Sequence, residues 1–567
     1  MYVERIPNRT SPPAILLREA WREAGRVRKR TVANLTNWPA ARVEALRRVL
    51  RDEPLVRVDE LFTIETSLPH GHVEAILGMV RRLGLDTVLA TKRSRARDLV
   101  LAMIVERLVH PCSKLATTRL WSTTTLGESL GVADADVDEL YDALDWLLAR
   151  QPHIEKKLAT RHLRDGGVVL YDVSSSYYEG RTCPLARFGH DRDGKTGLPI
   201  IVYGVMTDGD GRPIATEVYA GNVGDPKTVP DQVETLRERF GVGHVVLVGD
   251  RGMLTQTQID HLKSYPGLGW ISALRSPAIR ALVDSGTLQL SLFDEQHLAE
   301  ITSAAFPGER LVACFNPLLA DERRRKREDL LAATERDLAT LARGAARRTR
   351  TPFDDGTLGQ KVGRVINHYK MAKHFTVTIG GGRLSWTRRQ ESIEQEARLD
   401  GFYVIRTSVP TGQLSAADAV RHYKGLARVE RAFRCLKGID LRVRPIHHRT
   451  EAHVRAHIFL CLLAYYVEWH LRQAWAPLLF ADEALETDRQ TRDPVAPATP
   501  SPAVRRKKAE RQTSEGLPLH SFDTLLVALG TRCAHRCRLR SDPAGEPLRQ
   551  LTPPSPLQAR ALALLGL

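Results

Sequence analysis

The sequence predicts a mixed α/β core, one sheet flanked by helices, that is interrupted by an inserted mixed α/β segment and preceded by a helical N-terminal region. Three observations predict this fold class. Residues 166–275 alternate apolar strand-like runs with helical periodicity in the order strand, hairpin, helix, strand, helix, strand. The rhythm breaks over residues 276–395. It resumes over residues 396–480 with a further strand and further helices.

The first part of the core begins with VVLYDVSSSYYEG, which has the composition of a buried strand. LPIIVYGVMTDGDGRPIATEVYAGN predicts two strands joined by the turn DGDGRP. The helix VPDQVETLRERF, the strand HVVLVGDRG, the helix TQTQIDHLKSY and the strand GLGWISAL follow. Their short connections favour a single sheet with helices on its faces.

The insertion, residues 276–395, combines a highly charged helix, ADERRRKREDLLAATERDLATLARGAARR, with strands around a glycine turn in HFTVTIGGGRLSWTRR. The second part of the core, residues 396–480, contains the strand GFYVIRTSV, a helix from Ala416 to Lys437 and a helical run from Thr450 to about Trp475.

The flanking regions are less patterned. Residues 1–93 are mixed, with the strand-like VRVDELFTIE and the helical HVEAILGMVRRLGL, and residues 94–165 are helical and a possible DNA-binding region. Residues 484–516 are rich in proline and charge and predict a disordered linker. Residues 517–567 form a small apolar C-terminal tail.

The charge balance favours a polyanionic partner. The chain has 83 Lys and Arg against 67 Asp and Glu, a formal net charge of +16, which suits nucleic acid but also simple solubility. Seven cysteines without a dense framework indicate a reducing compartment. The N-terminus has no signal-peptide core, and the apolar run IFLCLLAYYV is too short to cross a bilayer, so we expect a cytoplasmic protein that binds no membrane.

Two aspartates occupy matching positions in the predicted sheet. Asp172 lies in VVLYDVSSS and Asp250 ends VVLVGD, each after an apolar strand stretch. Because ligand clefts form at the carboxyl ends of strands in open α/β sheets, we expect both side chains at one cleft. Two nearby carboxylates repel unless a divalent cation lies between them, and oxygen ligands suit Mg²⁺ or Mn²⁺. The alternative for either aspartate is that it caps the loop or helix that follows.

Glu430 is a candidate third carboxylate. In the basic helical stretch RHYKGLARVERAFRCLK, Tyr423, Glu430 and Lys437 recur at heptad spacing on one stripe, beside an apolar face. Glu430 therefore lies where a metal-binding carboxylate would face a phosphodiester, and a third carboxylate would complete a two-metal phosphoryl-transfer site. The alternative is a salt bridge to Arg434, one helical turn further on.

In this order, DVSSSYY, VLVGDRGM and YKGLARVERAFRCLK resemble the three catalytic blocks of DDE insertion-sequence transposases of the IS-four superfamily. The resemblance covers about residues 95–475 and the tail PSPLQARALALLGL. The hallmark of that superfamily is Tyr, two residues, Arg, three residues, Glu, six residues, Lys. Tyr423, Glu430 and Lys437 match it, but Leu426 stands at the Arg position, and Lys424 or Arg428 is the nearby substitute.

The resemblance implies an RNase H-like core and metal-dependent DNA strand cleavage and transfer. Asp172, Asp250 and Glu430 would be the catalytic and metal-binding residues and hold two Mg²⁺ (or Mn²⁺) ions that activate water and then a 3′-hydroxyl. Tyr423 and Lys437 would grip the phosphate backbone.

Further cations are expected at the DNA. Arg251, Arg428 and Arg434 are additional DNA-binding candidates, although Arg251 and Arg434 are equally suited to structural ion pairs. The partners implied are transposon-end and target DNA, with a homodimer when synapsed on DNA.

Two alternatives remain open at this point. An RNase H-like nuclease or resolvase that cuts without joining would use the same carboxylates. A DNA-binding derivative without catalytic activity would keep the fold and the basic charge.

Overall fold

The computed structural model describes residues 1–9, 11–53, 61–289, 293, 297–540 and 542–567. The chain divides into two compact units. One comprises Met1–Pro69 and Arg532–Pro553, and the other comprises His70–Thr531 and Pro554–Leu567. None of the helices in these described ranges is both long enough and apolar enough to span a membrane.

The strands, in chain order, are β1 Tyr2–Ile6, β2 Ala14–Glu23, β3 Arg26–Asn34, β4 Phe62–Pro69, β5 Gly167–Tyr177, β6 Ile200–Asp208, β7 Pro213–Ala220, β8 Val245–Val248, β9 Leu268–Ala273, β10 Leu298–Ile301, β11 Arg310–Phe315, β12 Phe375–Gly380, β13 Arg383–Arg388, β14 Phe402–Thr407, β15 Cys533–Leu539 and β16 Leu548–Leu551.

The helices are α1 Ala40–Val49, α2 Gly71–Arg82, α3 Leu85–Leu89, α4 Arg95–Val109, α5 Lys114–Leu120, α6 Leu126–Leu130, α7 Val137–His162, α8 Val229–Glu234, α9 Gln256–Lys263, α10 Ser276–Asp284, α11 Pro317–Ala346, α12 Asp355–Tyr369, α13 Gln390–Ala397, α14 Ala416–Lys424, α15 Leu426–Arg434, α16 Glu451–Ala474, α17 Leu485–Thr491, α18 Pro502–Glu510, α19 Phe522–Gly530 and α20 Pro556–Ala563.

The main sheet has eight strands in the order β10-β11-β14-β9-β8-β5-β6-β7. Strands β5, β6 and β7 form antiparallel pairs, whereas β8 is parallel to β5 and β9 is parallel to β8. Helix α8 precedes β8, and α9 connects β8 to β9. Hairpin strands on one side and parallel strands with helical crossovers on the other give the RNase H-like arrangement, so the predicted fold class is confirmed.

The predicted hairpin between β6 and β7 forms because of its turn chemistry. Asp208 Oδ1 accepts the N–H groups of Asp210 and Arg212, both at 2.9 Å, and Gly211 has a φ of +81°. A short polar side chain and a glycine in the left-handed region are the residues that such a turn requires. All nine residues of β6 are buried, which explains the continuous apolar sequence of this strand.

Helix α16 lies in the interior of the larger unit. It packs against α4, α7 and β7, and residues 456–468 are buried throughout. The apolar run IFLCLLAYYV is therefore a core helix, which accounts for its length and for its flanking charges.

The insertion contributes to the main sheet as well as forming a small core of its own. Strand β11 pairs with β14 and β10 pairs with β11, so both extend the sheet. The long helix α11 packs against α12 and the β12–β13 hairpin, with buried Leu331, Leu338, Val362 and Phe375 between them. The predicted charged helix and glycine-turn strands are thus α11, β12 and β13.

The smaller unit contains two three-stranded sheets, β1-β2-β3 and β16-β15-β4. Strand β4 falls partly within the predicted strand 56–65, of which residues 56–60 lie outside the described residues. The C-terminal tail predicted as one region is divided, because its β15 pairs with β4, whereas α19 and α20 belong to the larger unit.

The disordered linker predicted over residues 484–516 differs from the structure, which has α17 and α18 in this segment. Val495 and Val504 are buried, with 1% and 2% of their surface exposed. Asp482 Oδ2 accepts the N–H of Ser501 at 2.8 Å, which closes the segment on itself. Composition predicted disorder because few apolar residues are present, but two of them, Val495 and Val504, are buried.

The helix predicted from Ala416 to Lys437 is not continuous. It consists of α14 and α15, which meet at Gly425, and a π-helical turn, Cys435–Ile439. A π turn adds a residue to the helical repeat. The regular heptad stripe therefore does not continue to Lys437, which is buried, whereas Glu430 is exposed.

Candidate active site

The two aspartates lie at the same edge of adjacent parallel strands. Pairing between β5 and β8 ends at Leu170 opposite Val248, and Asp172 and Asp250 each follow two residues later. Asp172 is within β5, which continues to Tyr177 and pairs with β6, so it is not at the end of a strand as the sequence suggested. It does not cap a following loop either. The parallel register brings the two positions side by side.

The carboxyl group of Asp172 is partly buried, and its pKa lies well above the ordinary value. The pKa of its carboxyl is raised to about 7, chiefly by burial and also by the nearby charges of Asp250 and Asp225. The N–H of Val173, which donates to Oδ1 at 2.8 Å, and the guanidinium of Arg192 act in the opposite direction on this pKa. A carboxylate among other carboxylates, with one arginine beside it, is typical of functional sites.

Asp250 is exposed and has two kinds of partner. Its Oδ2 accepts the N–H of Gly252 at 3.2 Å, so the capping alternative is realised in part. Its Oδ1 accepts the hydroxyl of Tyr423 at 3.4 Å, a long and weak hydrogen bond. Burial raises the pKa of Tyr423 above its ordinary value, and the negative charges of Asp250 and Glu430 contribute in the same direction. Tyr423 therefore lies close to both carboxylates.

Glu430 lies on the exposed face of α15. The opposite face of α15 packs on β5 and β6, where the ring of Phe433 meets that of Tyr203 edge to face at 5.8 Å. Throughout the described part of the chain, the Glu430 carboxylate has no ion-pair partner, so the alternative of a salt bridge to Arg434 is not realised. An exposed, unpaired acid is thus held on a helix that is docked on the strand of Asp172.

The three carboxylates surround one region without converging tightly. Among the residues that the structure describes, the group of three whose ligand atoms lie within 4.8 Å of one another is Cys435, Asp440 and Glu468. Asp172, Asp250 and Glu430 do not form such a group. All three nevertheless offer oxygen ligands, which hard divalent cations prefer. The charge of Asp250 disfavours ionisation of Asp172, and a divalent cation between the two carboxylates would offset this repulsion.

The Cys435, Asp440 and Glu468 cluster already contains a cation. Arg472 donates to Glu468 Oε1 at 2.6 Å and to Asp440 Oδ2 at 2.9 Å. Burial raises the pKa of Glu468 to about 7 and that of the Cys435 thiol well above its usual range. A thiol, a carboxyl group of raised pKa and an arginine–carboxylate pair form a satisfied structural cluster, without need of a metal.

Lys437 is part of a buried ionic cluster on the other side of the same turn. Its Nζ donates to Asp193 Oδ1 at 3.0 Å, and Arg444 donates to the same oxygen. Asp193 Oδ2 accepts the N–H of Tyr177, the last residue of β5, at 3.2 Å. The side chains of Asp193 and Lys437 are only 1% and 11% exposed. Lys437 therefore joins the end of the Glu430 helix to the strand of Asp172.

The substitutes considered for the missing arginine are both occupied. Leu426 is buried, with 9% of its surface exposed. Lys424 donates to the carbonyls of Val495 and Ala496 at 2.8 and 3.3 Å, and Arg428 bonds to the carbonyl of Gly209 and to Glu486. Three of these partners, Val495, Ala496 and Glu486, belong to the segment predicted to be disordered.

Arg251 and Arg434 remain exposed. Within the described residues neither side chain forms an ion pair. Arg251 lies close enough to Tyr423 for its charge to lower the pKa of that hydroxyl. Arg251 also lines, with Tyr403, a cavity of about 190 Å³.

The lining of this cavity includes Tyr423, whose hydroxyl lies 3.4 Å from Asp250 Oδ1, but not Arg434. The cavity therefore adjoins the Asp250 side of the candidate site. Its surface combines aromatic rings with the guanidinium groups of Arg251 and Arg323.

Three charged residues near the site were not predicted from the sequence: Arg192, Asp193 and Asp225. Asp193 and Arg192 lie in the loop after β5, and Arg192 Nη2 lies 2.5 Å from both carboxylate oxygens of Asp225. The only signal was the alternation of charges in HDRDGK directly after the strand of Asp172. Such a run is ordinary for a solvated turn, so the sequence could not distinguish it from one.

Comparison with known proteins adds family information. Residues 186–467 match a transposase DDE domain, a range that contains Asp250 and Glu430 and begins after Asp172. Residues 3–55 match the N-terminal domain of IS1634 family transposases. No curated protein matches the chain.

A solved structure of piggyBac transposase in a synaptic complex with hairpin DNA is similar at a TM-score of 0.33 and 9% identity. The similarity covers 81% of this chain and 77% of that one.

Proposed function

Because the chain carries a transposase DDE domain, we propose that it catalyses divalent-metal-dependent DNA strand cleavage and strand transfer through Asp172, Asp250 and Glu430. The observation that carries the proposal is the register of β5 and β8, which sets Asp172 beside Asp250. The negative charge of Asp250 raises the pKa of Asp172, which supports the proximity of the two carboxyl groups. The pKa of Tyr423 supports the proximity of Glu430, because the negative charges of both Asp250 and Glu430 raise it.

In the proposed reaction, water adds across a P–O3′ bond of the DNA, which leaves a free 3′-hydroxyl. The oxygen of that hydroxyl then attacks a phosphorus atom of target DNA, where one P–O bond forms and another breaks. The chain's part is to hold three carboxylates at fixed positions around the reacting phosphate. The docking of α15 on β5 and the sheet register of β5 with β8 supply this rigidity.

Asp172, Asp250 and Glu430 are the residues that would hold Mg²⁺ or Mn²⁺, two ions in the proposed arrangement. When bound, such ions activate the attacking oxygen and stabilise the leaving one.

The DNA backbone is proposed to lie along Tyr423, whose hydroxyl is beside Asp250, and along the exposed Arg251 and Arg434. Lys437 and Arg428 are proposed with them, but each must exchange an intramolecular partner, Asp193 or Glu486, for a phosphate. We propose that Lys437 positions the helix and that Arg251, which follows Asp250 in the sequence, binds phosphate.

The proposed partners are the ends of the element and target DNA, and the proposed assembly on DNA is a homodimer. We further propose membership of the IS-four superfamily, on the blocks around Asp172, Asp250 and Glu430, and a location in the cytoplasm with the nucleoid. The N-terminal match to IS1634 family transposases is compatible with an insertion-sequence enzyme.

The test uses purified full-length protein and labelled duplexes from the DNA that flanks the coding region, with Mg²⁺, Mn²⁺ or EDTA. Cleavage and joining to a target plasmid are expected with either metal and not with EDTA. Asp172→Asn and Glu430→Gln are expected to abolish both steps, whereas the matched variant Glu394→Gln, on α13 of the insertion, is expected to retain them.

The outcomes separate the alternatives. Cleavage without joined products would favour the nuclease or resolvase. DNA binding without either product under every metal condition would favour the derivative that lacks catalytic activity. Full activity of Glu430→Gln would contradict the assignment of the third carboxylate.

A further inference from the structure

The smaller unit has a two-stranded ribbon that extends beyond its sheet. Strand β1 pairs with Ala14–Arg18 of β2 and no further. From Glu19 to Glu23, β2 pairs with Arg26–Arg30 of β3 alone. Residues 20–32 are all exposed. Both faces of this hairpin, Glu19–Arg30, are therefore in solvent, and we call it the basic ribbon.

The basic ribbon ends in a short two-residue turn. Ala24 and Gly25 form a two-residue turn in which both φ angles are positive, 49° and 78°. This is the conformation of a type I′ turn, whose twist matches that of the flanking strands. Alanine rarely adopts a positive φ, so the tight turn is kept at some conformational cost.

The charge of the basic ribbon is strongly positive. It contains five cations, Arg22, Arg26, Arg28, Lys29 and Arg30, against the two carboxylates of Glu19 and Glu23. Cross-strand ion pairs join Arg30 to Glu19 at 2.8 Å and Arg28 to Glu23 at 3.1 Å. Arg22 and Arg26, nearest the turn, have no ion-pair partner among the described residues.

The dimensions of the basic ribbon fit the major groove of DNA. Five residue pairs correspond to a length of about 17 Å at about 3.4 Å per residue. Two strands lie about 4.8 Å apart, and a groove about 12 Å wide admits a two-stranded ribbon with its side chains. Trp21 and Val27, 43% and 58% exposed, add apolar surface of the kind that contacts thymine methyl groups.

Protection of a sheet edge is the competing explanation for these cations, since lysine and arginine discourage edge-to-edge pairing. That explanation requires charges on the free edge but not a projecting hairpin with two solvated faces. A hairpin that buries neither face is marginally stable in water. A polyanionic partner accounts for both the projection and the excess of cations.

We propose that the basic ribbon binds in the major groove of the duplex DNA on which the protein acts, with Arg22 and Arg26 at the base edges. The partner rests on the proposed function, but binding needs neither metal nor cleavage. Binding is therefore measured in EDTA, and its failure is distinguishable from failure of strand transfer.

The experiment measures binding of the full-length chain to a duplex of about 30 base pairs from the flanking DNA, by fluorescence anisotropy over a range of salt concentrations. Arg22→Ala with Arg26→Ala is expected to weaken binding at least about tenfold and to reduce the log–log salt slope by about two. The matched control, Arg42→Ala with Arg51→Ala, removes two exposed arginines of the same unit and is expected to change affinity less than about twofold.

Dimethyl sulfate footprinting tests the groove, because the N7 of guanine lies in the major groove. The wild-type chain is expected to protect guanines that the double alanine variant leaves reactive. Arg22→Lys with Arg26→Lys is expected to restore the salt slope but not the protection, since lysine lacks the bidentate fork of arginine. Equal weakening by the control pair, or unchanged affinity and footprint in the double alanine variant, would overturn the proposal.

A final arm addresses self-association through the free edge of β3. Sedimentation of the wild-type chain and the double alanine variant without DNA is expected to give the same mass. A change of oligomeric state in the variant, with unchanged DNA affinity, would show that the basic ribbon joins copies of the chain and would overturn DNA binding.

Discussion

Asp193 is expected to be among the most sensitive positions near the candidate site. Its carboxylate is 1% exposed and is the shared acceptor for Lys437, Arg444 and the N–H of Tyr177. Asp193→Ala leaves two cations without their carboxylate, of which Lys437 is 11% and Arg444 31% exposed. Removing one partner of a buried ion pair costs about 3–5 kcal/mol of unfolding free energy.

Asp193→Asn is the milder change. Its side-chain oxygen can still accept the N–H of Tyr177 but no longer carries charge, and a hydrogen bond to a charged group contributes about 1.5–3 kcal/mol. We expect the loss for Asn to lie in that range and to respond little to salt, because a buried pair is weakly screened.

The assay is urea unfolding at pH 7.5, followed by tryptophan fluorescence, for the wild type, both variants, Lys437→Met and the double variant Asp193→Asn with Lys437→Met. The double variant is expected to lose about 0.5–3 kcal/mol less than the sum of the single losses, because the two side chains interact. A matched control is Asp488→Ala, a partly exposed acid of α17 that forms no salt bridge within the described ranges. A loss below about 1 kcal/mol for Asp193→Ala, or additive losses in the double variant, would refute the buried-cluster explanation.

Three further predictions concern the carboxylates and the segment that follows α16. The pKa of Asp172, about 7 against an ordinary 3.8, means that the folded state binds more protons than the unfolded state between these values, so stability falls as pH rises through that window by about 4 kcal/mol at most. Asp172→Asn should therefore gain about 2–3 kcal/mol relative to the wild type between pH 5 and pH 8 in EDTA, and a pH-independent difference in urea unfolding would contradict this. Glu430→Gln should change unfolding free energy by less than about 0.5 kcal/mol while strand cleavage is lost, because the carboxylate is exposed and unpaired among the described residues. Val495→Asp, which places a charge at a site 1% exposed, should make residues 484–516 sensitive to trypsin, and equal resistance of variant and wild type would show that this contact does not hold the segment.

The sequence predicted the sheet well where local pattern and turn chemistry agree. The apolar runs around Asp172 and Asp250 and the DGDG turn specify strands and a hairpin whatever lies elsewhere in the chain. Parallel pairing of β5 with β8 then follows from the order of strands and helices. For this reason the relation between Asp172 and Asp250 was predictable in kind, although the continuation of β5 beyond Asp172 was not.

The misplaced features depend on distant partners. Asp193 is buried only because Lys437 and Arg444 approach from residues far along the chain, and nothing in HDRDGK specifies that approach. The position of Lys437 relative to Glu430 depends on a π turn, which has no strong sequence signature. Residues 484–516 likewise become ordered through Lys424 and Arg428, so their own composition could only predict disorder.

These contacts imply that the two halves of the Glu430 helix are fixed to different degrees. Beyond Glu430, the turn Cys435–Ile439 is held between two buried ionic clusters, Asp193 with Lys437 and Arg472 with Asp440. Breaking either costs about 3–5 kcal/mol. Before Glu430, α14 is held to residues 484–516 by single hydrogen bonds, such as the one that Lys424 donates to the carbonyl of Val495 at 2.8 Å. A hydrogen bond to a charged group contributes about 1.5–3 kcal/mol, less than a buried ionic cluster, so displacement of α14 costs less than displacement of Glu430. Tyr423 on α14 can therefore adjust to a bound phosphate backbone while the third carboxylate keeps its position beside the sheet.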